Sequence, residues 1–535
     1  MSTCSSTSTS TSSSAAPSVS TSPVPFLGVS QPISMARPTT TEAAASKAMI
    51  QELITNKCFE TKRESEKRVN VLEDVRKIVT NWEIEMSKEF EGYEPSAQLL
   101  AFGSYRMNVH SPGGDIDTVL VAPRHLTRSQ FFTSFLDLLR SDDNVAELTA
   151  IPGAFVPIIT MKFSGVELDI LFTRLPFATV PTHLDYSDDG LLKNMDEACT
   201  RSFNGLRGCE KLLSLVPNKK TFTLALRAVK LWAKRQGISS NAMGFFGGIS
   251  WAILVARVCQ LYPNATSSKI VMKMFTVFSS WQWPIPVVLD HLPRHPAVWN
   301  PRTKEADSYH LMPILTTAFP QQNTTHNVSA STFAVITQKL KEGFEMCQKI
   351  GKGQATWADL FKPVNFFLGY KHYVAVSMKA DNQKDQSAFT GFLESRIRQL
   401  VGNLEWIPSV KLAHVHPEAF HPKSGQKHQQ IYFIGMEIDK DAKNLDLTKT
   451  TETFKRNLQH QADKVKVPKV EIEINYVKRS NLFSLVSAEV LKTGRPGSPT
   501  QGPADHNKKR KLNEDDKKPV AAPLAKRQAL KGINC

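Results

Sequence analysis

Phe102-Gly103-Ser104-Tyr105-Arg106-Met107-Asn108-Val109-His110-Ser111-Pro112-Gly113-Gly114-Asp115-Ile116-Asp117-Thr118-Val119-Leu120-Val121 reads as a strand, a glycine-punctuated loop and a second strand. The apolar run Leu99 to Phe102 stops at Gly103-Ser104. After the Pro112-Gly113-Gly114 turn signal, Asp115 and Asp117 stand two apart, followed by the apolar Val119 to Val121. Side chains at i and i+2 of a strand point to the same face. Two carboxylates sharing a face at the head of a buried strand repel each other and are costly to desolvate. Hard divalent cations take oxygen ligands and are the natural groups to lie between them.

A third carboxylate fits the same scheme. Val166-Glu167-Leu168-Asp169-Ile170-Leu171-Phe172 is strand-like, with Leu168, Ile170 and Phe172 on one face and Glu167, Asp169 and Leu171 on the other. If this strand pairs beside the Asp115 strand, three carboxylates converge in the layout of a two-metal site. In such a site one ion activates a hydroxyl nucleophile, and the other holds a triphosphate and the leaving oxygen. Gly103-Ser104 would then bind phosphate through backbone N–H groups and a hydroxyl, because a glycine turn allows close approach. An Asp-x-Asp pair by itself is usually a solvated turn. The Gly-Ser loop before it and the strand aspartate after it argue against that reading here.

Together, Gly103-Ser104, the Asp115–Asp117 pair and the separate Asp169 resemble the nucleotidyltransferase superfamily of DNA polymerase beta. The longer run resembles that of eukaryotic nuclear poly(A) polymerases, with their Phe-Gly-Ser-Tyr-Arg and Gly-x-Asp-Ile-Asp strings. The likeness continues through Asn204-Gly205, Val229-Lys230-Leu231-Trp232-Ala233-Lys234-Arg235 and Gly244-Phe245-Phe246-Gly247-Gly248-Ile249-Ser250-Trp251. It goes on through Tyr309-His310-Leu311-Met312-Pro313-Ile314 and Pro320-Gln321-Gln322-Asn323, and spans roughly residues 28 to 480.

The resemblance implies a template-independent adenylyltransferase. The RNA 3′-hydroxyl would attack the α-phosphate of ATP in line, with pyrophosphate leaving and two ions, Mg2+ or Mn2+, as cofactors. Asp115 and Asp117 would bind both ions and Asp169 the ion on the nucleophile side. The ATP-binding set it implies is Phe102, Gly103, Ser104, Ser111, Asp115, Asp117, Asp169, Asn204, Lys230, Ser239, Gly248 and Ile249. Within that set Lys230 would reach the triphosphate. Asn204-Gly205, expected in a loop before a helix, would contact the nucleotide sugar or the RNA end. Gly247-Gly248-Ile249 would let the backbone approach the base. One position departs from the pattern: Ser239 stands where the family usually has a tyrosine supporting the triphosphate. Serine is too short for that contact, so lower nucleotide affinity or a substituting water is expected. The resemblance also implies RNA 3′ ends, ATP and cleavage and polyadenylation factors as partners, action as a monomer, and a nuclear location.

Composition sets bounds around this. The chain has 535 residues, too many for one core, and two to four domains are expected. Its formal net charge of +16 favours a polyanionic partner. From Val490 to the end, eleven lysines and arginines face four acids, so a surplus of seven sits in the tail and nine on the rest. The seven cysteines are odd in number and scattered, with no Cys-x-x-Cys, which argues against a disulfide framework or zinc site and for a reducing compartment. No secretory signal is visible at the N-terminus, so the sequons at Asn264, Asn323 and Asn327 carry little weight. The apolar stretch Ala242 to Ala256 is too short to span a bilayer, and no membrane partner is expected.

The expected architecture is α+β and multidomain. Residues 1–24 are a Ser/Thr-rich disordered segment, and 25–61 an N-terminal helical segment packing on the central domain. Residues 62–177 form the catalytic mixed sheet with helices, and 178–362 a helical central domain. Val69, Leu72, Val75, Ile78, Val79 and Trp82 recur at helical spacing, part of a helical pattern from Thr41 to Glu91. Phe131 to Leu139 reads as a short amphipathic helix, and Ile158–Phe163 and Val166–Phe172 as a hairpin over Ser164-Gly165. Lys230 and Lys234 share a helix face. Ser250 grazes a hydrolase nucleophile-elbow pattern but lacks the preceding strand and is read as structural.

Residues 363–487 carry the β-α-β-β-α-β order of an RNA-recognition domain. Phe389, Leu393, Ile397, Leu400 and Leu404 are expected on one face of its first helix. The aromatic stacking consensus of such domains is not visible. Residues 488–535 form a basic disordered tail in which Lys508-Lys509-Arg510-Lys511 and Lys526-Arg527 resemble a nuclear localisation signal. Two other functions remain open at this level: a catalytically weak RNA-binding scaffold paralogue, which Ser239 slightly favours, and a nucleotidyltransferase adding a different tail.

Overall fold

The computed structural model describes residues 26–90, 92–442 and 445–496. The Ser/Thr-rich start and the basic clusters at 508–511 and 526–527 lie outside the described residues. The α+β organisation expected from the sequence is the one observed.

The helical pattern of 41–91 resolves into two helices, Thr40–Thr55 and Lys62–Met86. Local chemistry explains the break. Lys57 adopts a left-handed φ of 53° just past the first helix, and Thr61 begins the second with a Thr61–Glu64 capping box. The first helix packs on the central helices: Met49 and Leu53 are buried in their core, and Ser46 Oγ lies 2.7 Å from Ser268 Oγ.

The first sheet holds β1 (Gln98–Ala101), β2 (Ile116–Ala122), β3 (Val145–Ile151), β4 (Ile158–Phe163) and β5 (Val166–Arg174) in the order β1-β2-β5-β4-β3. β2 and β5 run parallel and the other pairs antiparallel. β4 and β5 form the expected hairpin, with Ser164 and Gly165 both at positive φ, 48° and 76°. β3 was not anticipated. It is an edge strand with mostly exposed residues, so its sequence lacks the apolar alternation that marks a strand. Period-two alternation sorts the other strands. Ile116, Leu120, Leu168, Ile170 and Phe172 face a core made with Val75, Val79 and Trp82 of the 62–86 helix. Val119, Val121 and Leu171 face the opposite way, onto Phe203 and Leu206 of the helix Glu197–Ser214. Asp117 and Asp169 belong by parity to this second face.

The central helices Lys219–Arg235, Gly248–Leu261, Ser267–Phe278 and Ala330–Gly351 share one core. Ser250 is buried at the start of one of them, its Oγ 2.9 Å from Thr324 Oγ1, which fits a structural role.

A second sheet of β6 (His372–Lys379), β7 (Val410–Val415), β8 (Gln429–Ile438) and β9 (Glu471–Lys478) has the order β7-β8-β6-β9, all antiparallel. That is the split β-α-β-β-α-β arrangement. Its first helical connection breaks at Ser395-Arg396 into Gln383–Glu394 and Ile397–Glu405, where one helix was expected. All five anticipated apolar residues are nevertheless buried. Val374, Val376, Tyr432 and Ile434 pack toward the helices. On the opposite face Tyr373 and Phe433 are fully buried beneath Phe366, Phe367, Phe420, Leu482 and Val486.

Candidate active site

Asp117 and Asp169 are register partners on the parallel pair β2–β5, and Asp115 lies two residues before Asp117. The hydroxyl of Thr118 donates to the carbonyl of Asp169 at 2.8 Å and locks that register. One carboxylate oxygen from each of Asp115, Asp117 and Asp169 lies within 4.8 Å of the others. Burial and then the neighbouring Asp115 carboxylate push Asp117 up to about 6, against a partial offset from Lys230. Burial, with Asp115 and Asp117 next, pushes Asp169 to about 6 as well. The exposed Asp115 carboxylate and the partly desolvated Asp117 and Asp169 form an all-oxygen donor set, and hard divalent cations fit it.

Beside the acids opens a cavity of about 500 Å³. Its lining includes Phe102, Gly103, Ser104, Asp117, Asn204, Gly205, Lys230, Gly248 and Ile249 from the expected nucleotide set and its neighbours. Gly103-Ser104 is not a loop: Gly103–Arg106 forms one helical turn directly after β1. Gly103 has φ 61°, and a Cβ there would lie 2.2 Å from Asp117 Oδ2. The glycine therefore meets two demands at once, a backbone angle other residues resist and room for the carboxylate.

Asn204 and Gly205 are likewise not in a loop. They lie inside the helix 197–214, whose N-cap Asp196 accepts from the Cys199 amide. Glycine in a helix interior costs about 1 kcal/mol relative to alanine, yet a Cβ on Gly205 would come within 2.6 Å of the Phe102 ring. The missing side chain is what lets the ring form the cavity wall.

Lys230 and Lys234 share a helix face but not a fate. Lys230 is largely buried at the cavity, donates to Val109 O at 2.8 Å, and is lowered to about 8 chiefly by that burial. Lys234 is exposed and lies 3.6 Å from Glu418. Ser111 is exposed and Ser239 half-buried, and neither lines the cavity.

Several site features were not anticipated. The irregular strap Thr316–Gln322 closes one side of the cavity. Its Pro320-Gln321-Gln322 was noticed only as part of a longer motif. Arg227 holds the loop leading to Asp115, donating to Asn108 O at 3.1 Å and His110 O at 2.8 Å. Arg207 sits behind Asn204. Its position three residues after Asn204 was a usable signal, since i and i+3 are neighbours on a helix.

Family models match nearly all the described chain. The poly(A) polymerase nucleotidyltransferase domain matches residues 28–216, the poly(A) polymerase central domain 221–363, and the poly(A) polymerase predicted RNA binding domain 365–430 and 422–495. The poly(A) polymerase PAPalpha of Candida albicans is 42% identical over 402 residues, covering 74% of this chain and 72% of that one. The nuclear poly(A) polymerase 1 of Arabidopsis thaliana is 37% identical, covering 90% of this chain and 69% of that one. The poly(A) polymerase of Dictyostelium discoideum is 38% identical over 92% of this chain, which spans 64% of that relative's length. Among solved structures, the Cid1 poly(U) polymerase aligns with a TM-score of 0.43 and 16% identity, covering 60% of this chain and 98% of that one.

Proposed function

The chain belongs to the poly(A) polymerase family, and we propose that it is a template-independent polynucleotide adenylyltransferase extending RNA 3′ ends with ATP. The RNA 3′-hydroxyl oxygen forms a bond to the α-phosphorus. The bond from that phosphorus to the bridging oxygen breaks, and pyrophosphate leaves. The observation that carries this reading is the register pairing of Asp117 with Asp169, with Asp115 alongside, next to the 500 Å³ cavity.

Asp115 and Asp117 would hold two divalent ions and Asp169 the ion nearer the hydroxyl; when bound, Mg2+ or Mn2+ neutralises phosphate charge and makes the hydroxyl more acidic. The chain's own groups do the rest. Gly103 and Ser104 offer a backbone turn and a hydroxyl to phosphate oxygens. Lys230 supplies a cation deep in the cavity. Asn204 and the glycine-started helix at Gly248–Ile249 flank the nucleotide. Ser111 and Ser239 do not line the cavity and belong to the proposed nucleotide-binding set on the sequence resemblance alone.

We assign residues 62–177 to catalysis, 178–362 to the central domain and 363–487 to RNA binding. The relatives' printed names, with one nuclear enzyme among them, support a nuclear role for this chain. We also propose a monomer working with cleavage and polyadenylation factors. Among the described residues no helix is long and apolar enough to cross a membrane.

The test is extension of an oligo(A) primer with each of the four nucleotides in turn and magnesium or manganese. ATP alone is expected to support long products. The Asp115→Ala, Asp117→Ala, Asp169→Ala triple variant is expected to lose extension while staying folded, with a metal-free melting midpoint no lower than that of the wild type. Extension by that variant refutes the mechanism. A preference for UTP or CTP means another tail, and no product from the wild type leaves an RNA-binding scaffold.

A further inference from the structure

Arg207 is fully buried, yet it is a cation within a wall of the cavity. It reaches three different segments. Nη1 donates to Asn204 Oδ1 at 3.0 Å and to Phe319 O at 2.7 Å, and Nη2 pairs with Asp189, a half-exposed carboxylate on the turn Asp189–Leu192. Two of these contacts are cavity walls. Asn204 lines the cavity directly, and Phe319 precedes Pro320, which lines the opposite strap. A second bond, Thr317 Oγ1 to Gly208 O at 2.7 Å, ties the same strap to the same helix.

The guanidinium fixes more than distance. It has donors and no acceptor, so it selects the carbonyl end of the Asn204 amide. The free end of that amide is then its NH2 group, a pure donor. A free asparagine on a helix could turn either end to a ligand; this one cannot. The cavity therefore presents a fixed donor suited to an oxygen or ring-nitrogen acceptor on the nucleotide.

We propose that Arg207 is a positioning residue for the nucleotide: by holding Asn204 Oδ1 and the Phe319 carbonyl together it sets the orientation of the Asn204 amide and the spacing of the two walls. This rests on the reading of the cavity as an ATP site. Arg207 does not itself line the cavity and is not a catalytic residue. Arg207→Met removes one partner of the pair and leaves the Asn204 and Phe319 oxygens without their donor, a loss of stability limited by the solvent exposure of Asp189, so melting midpoints are read beside the kinetics.

The test is a double-mutant cycle on the full chain, with primer extension by ATP and melting midpoints for every variant. Arg207→Met and Asn204→Ala are each expected to raise KM for ATP about tenfold, the effect of losing one oriented hydrogen bond, with a smaller change in kcat. In the Asn204→Ala background, Arg207→Met is expected to add no more than about threefold, because coupled residues are non-additive. Asp189→Ala, which removes the ion partner from the exposed side, is expected to raise KM in the same direction and to lose most of that effect beside Asn204→Ala. If Arg207→Met melts below the assay temperature, the Asp189→Ala cycle carries the decision alone. Full additivity in either cycle, or an unchanged KM in a folded Arg207→Met, overturns the assignment. Failure of the wild type to use ATP would instead overturn the reading of the cavity, so the two failures are distinct.

Discussion

Asp117 and Asp169 sit side by side on neighbouring parallel strands, fifty-two residues apart in sequence and in direct register. A one-residue slip of β5 would turn Asp169 into the apolar core against Val75, Val79 and Trp82 and drive Leu168 and Ile170 out of it. The hydrophobic pattern that folds the sheet is thus the same pattern that assembles the acids.

That arrangement makes stability depend on pH and on divalent ions. Both carboxyls are raised from 3.8 to about 6. A carboxyl whose folded value lies above its unfolded one opposes folding once ionised. The penalty is present above about pH 6 and absent below about pH 4, where the unfolded chain is protonated too. Asp117→Asn is therefore expected to raise the melting midpoint of the metal-free protein at about pH 7.5 and leave it unchanged near pH 4. Added magnesium should raise the wild-type midpoint more at about pH 7.5 than at about pH 5, since protons compete with the ion for the same oxygens. Differential scanning fluorimetry across that range checks both.

Gly103→Ala should harm activity more than its size suggests. The new methyl group would lie 2.2 Å from Asp117 Oδ2, on a backbone held at φ 61°. Strain of about 1 kcal/mol is expected from the backbone alone, and relief requires Asp117 to move. Extension rate is expected to fall at least about tenfold, with the melting midpoint lowered slightly. Wild-type kinetics in the alanine variant would show that Asp117 tolerates displacement.

Lys230 should confer an alkaline limb on ATP binding. Burial lowers it to about 8, so the free protein loses this cation as pH rises through that value. KM for ATP is expected to climb above about pH 8 in the wild type. In Lys230→Arg, whose guanidinium keeps its charge, the climb should disappear even if KM is higher throughout. Lys230→Ala should raise KM at every pH. Identical alkaline profiles for wild type and the arginine variant would remove Lys230 from triphosphate binding.

Ser239 provides a gain-of-contact test. It is half-buried and off the cavity wall, at the position where the sequence resemblance implies a tyrosine. Ser239→Tyr is expected to lower KM for ATP by about threefold to tenfold, the worth of one added hydrogen bond to a charged group. An unchanged or higher KM would mean that the larger side chain does not reach the triphosphate in this chain.

Legibility in the sequence followed the range of the interaction. The hairpin of β4 and β5 was readable because Ser164-Gly165 is local turn chemistry between two alternating runs. The convergence of Asp115, Asp117 and Asp169 was readable because parity places each on a known face, although the pairing of β2 with β5 had to be supposed. The edge strand β3 was missed because its exposed side chains carry no apolar period. Asn204-Gly205 was misplaced into a loop because glycine signals a break. Here the helix is kept by its buried Phe203 and Leu206, and the glycine makes room for Phe102. The i,i+3 spacing of Asn204 and Arg207 was legible but passed over, whereas the 316–322 strap and the hold of Arg207 on it were invisible, since those contacts lie more than a hundred residues apart.

The second sheet has lost the option of reading sequence in the way its topology suggests. Tyr373 and Phe433, the rings that could have stacked on bases, are sealed beneath Phe366, Phe367, Phe420 and Leu482. Beside the exposed Tyr476 of β9, what is available there to hold a polynucleotide includes charge on loops and edges, such as Lys423, Lys478 and Arg479. Grip of that kind is blind to the identity of the letters, weakens steeply as ionic strength rises, and lets a strand slide as it grows. For the single-letter tail proposed above such grip suffices, and the choice of transcript would fall to another component.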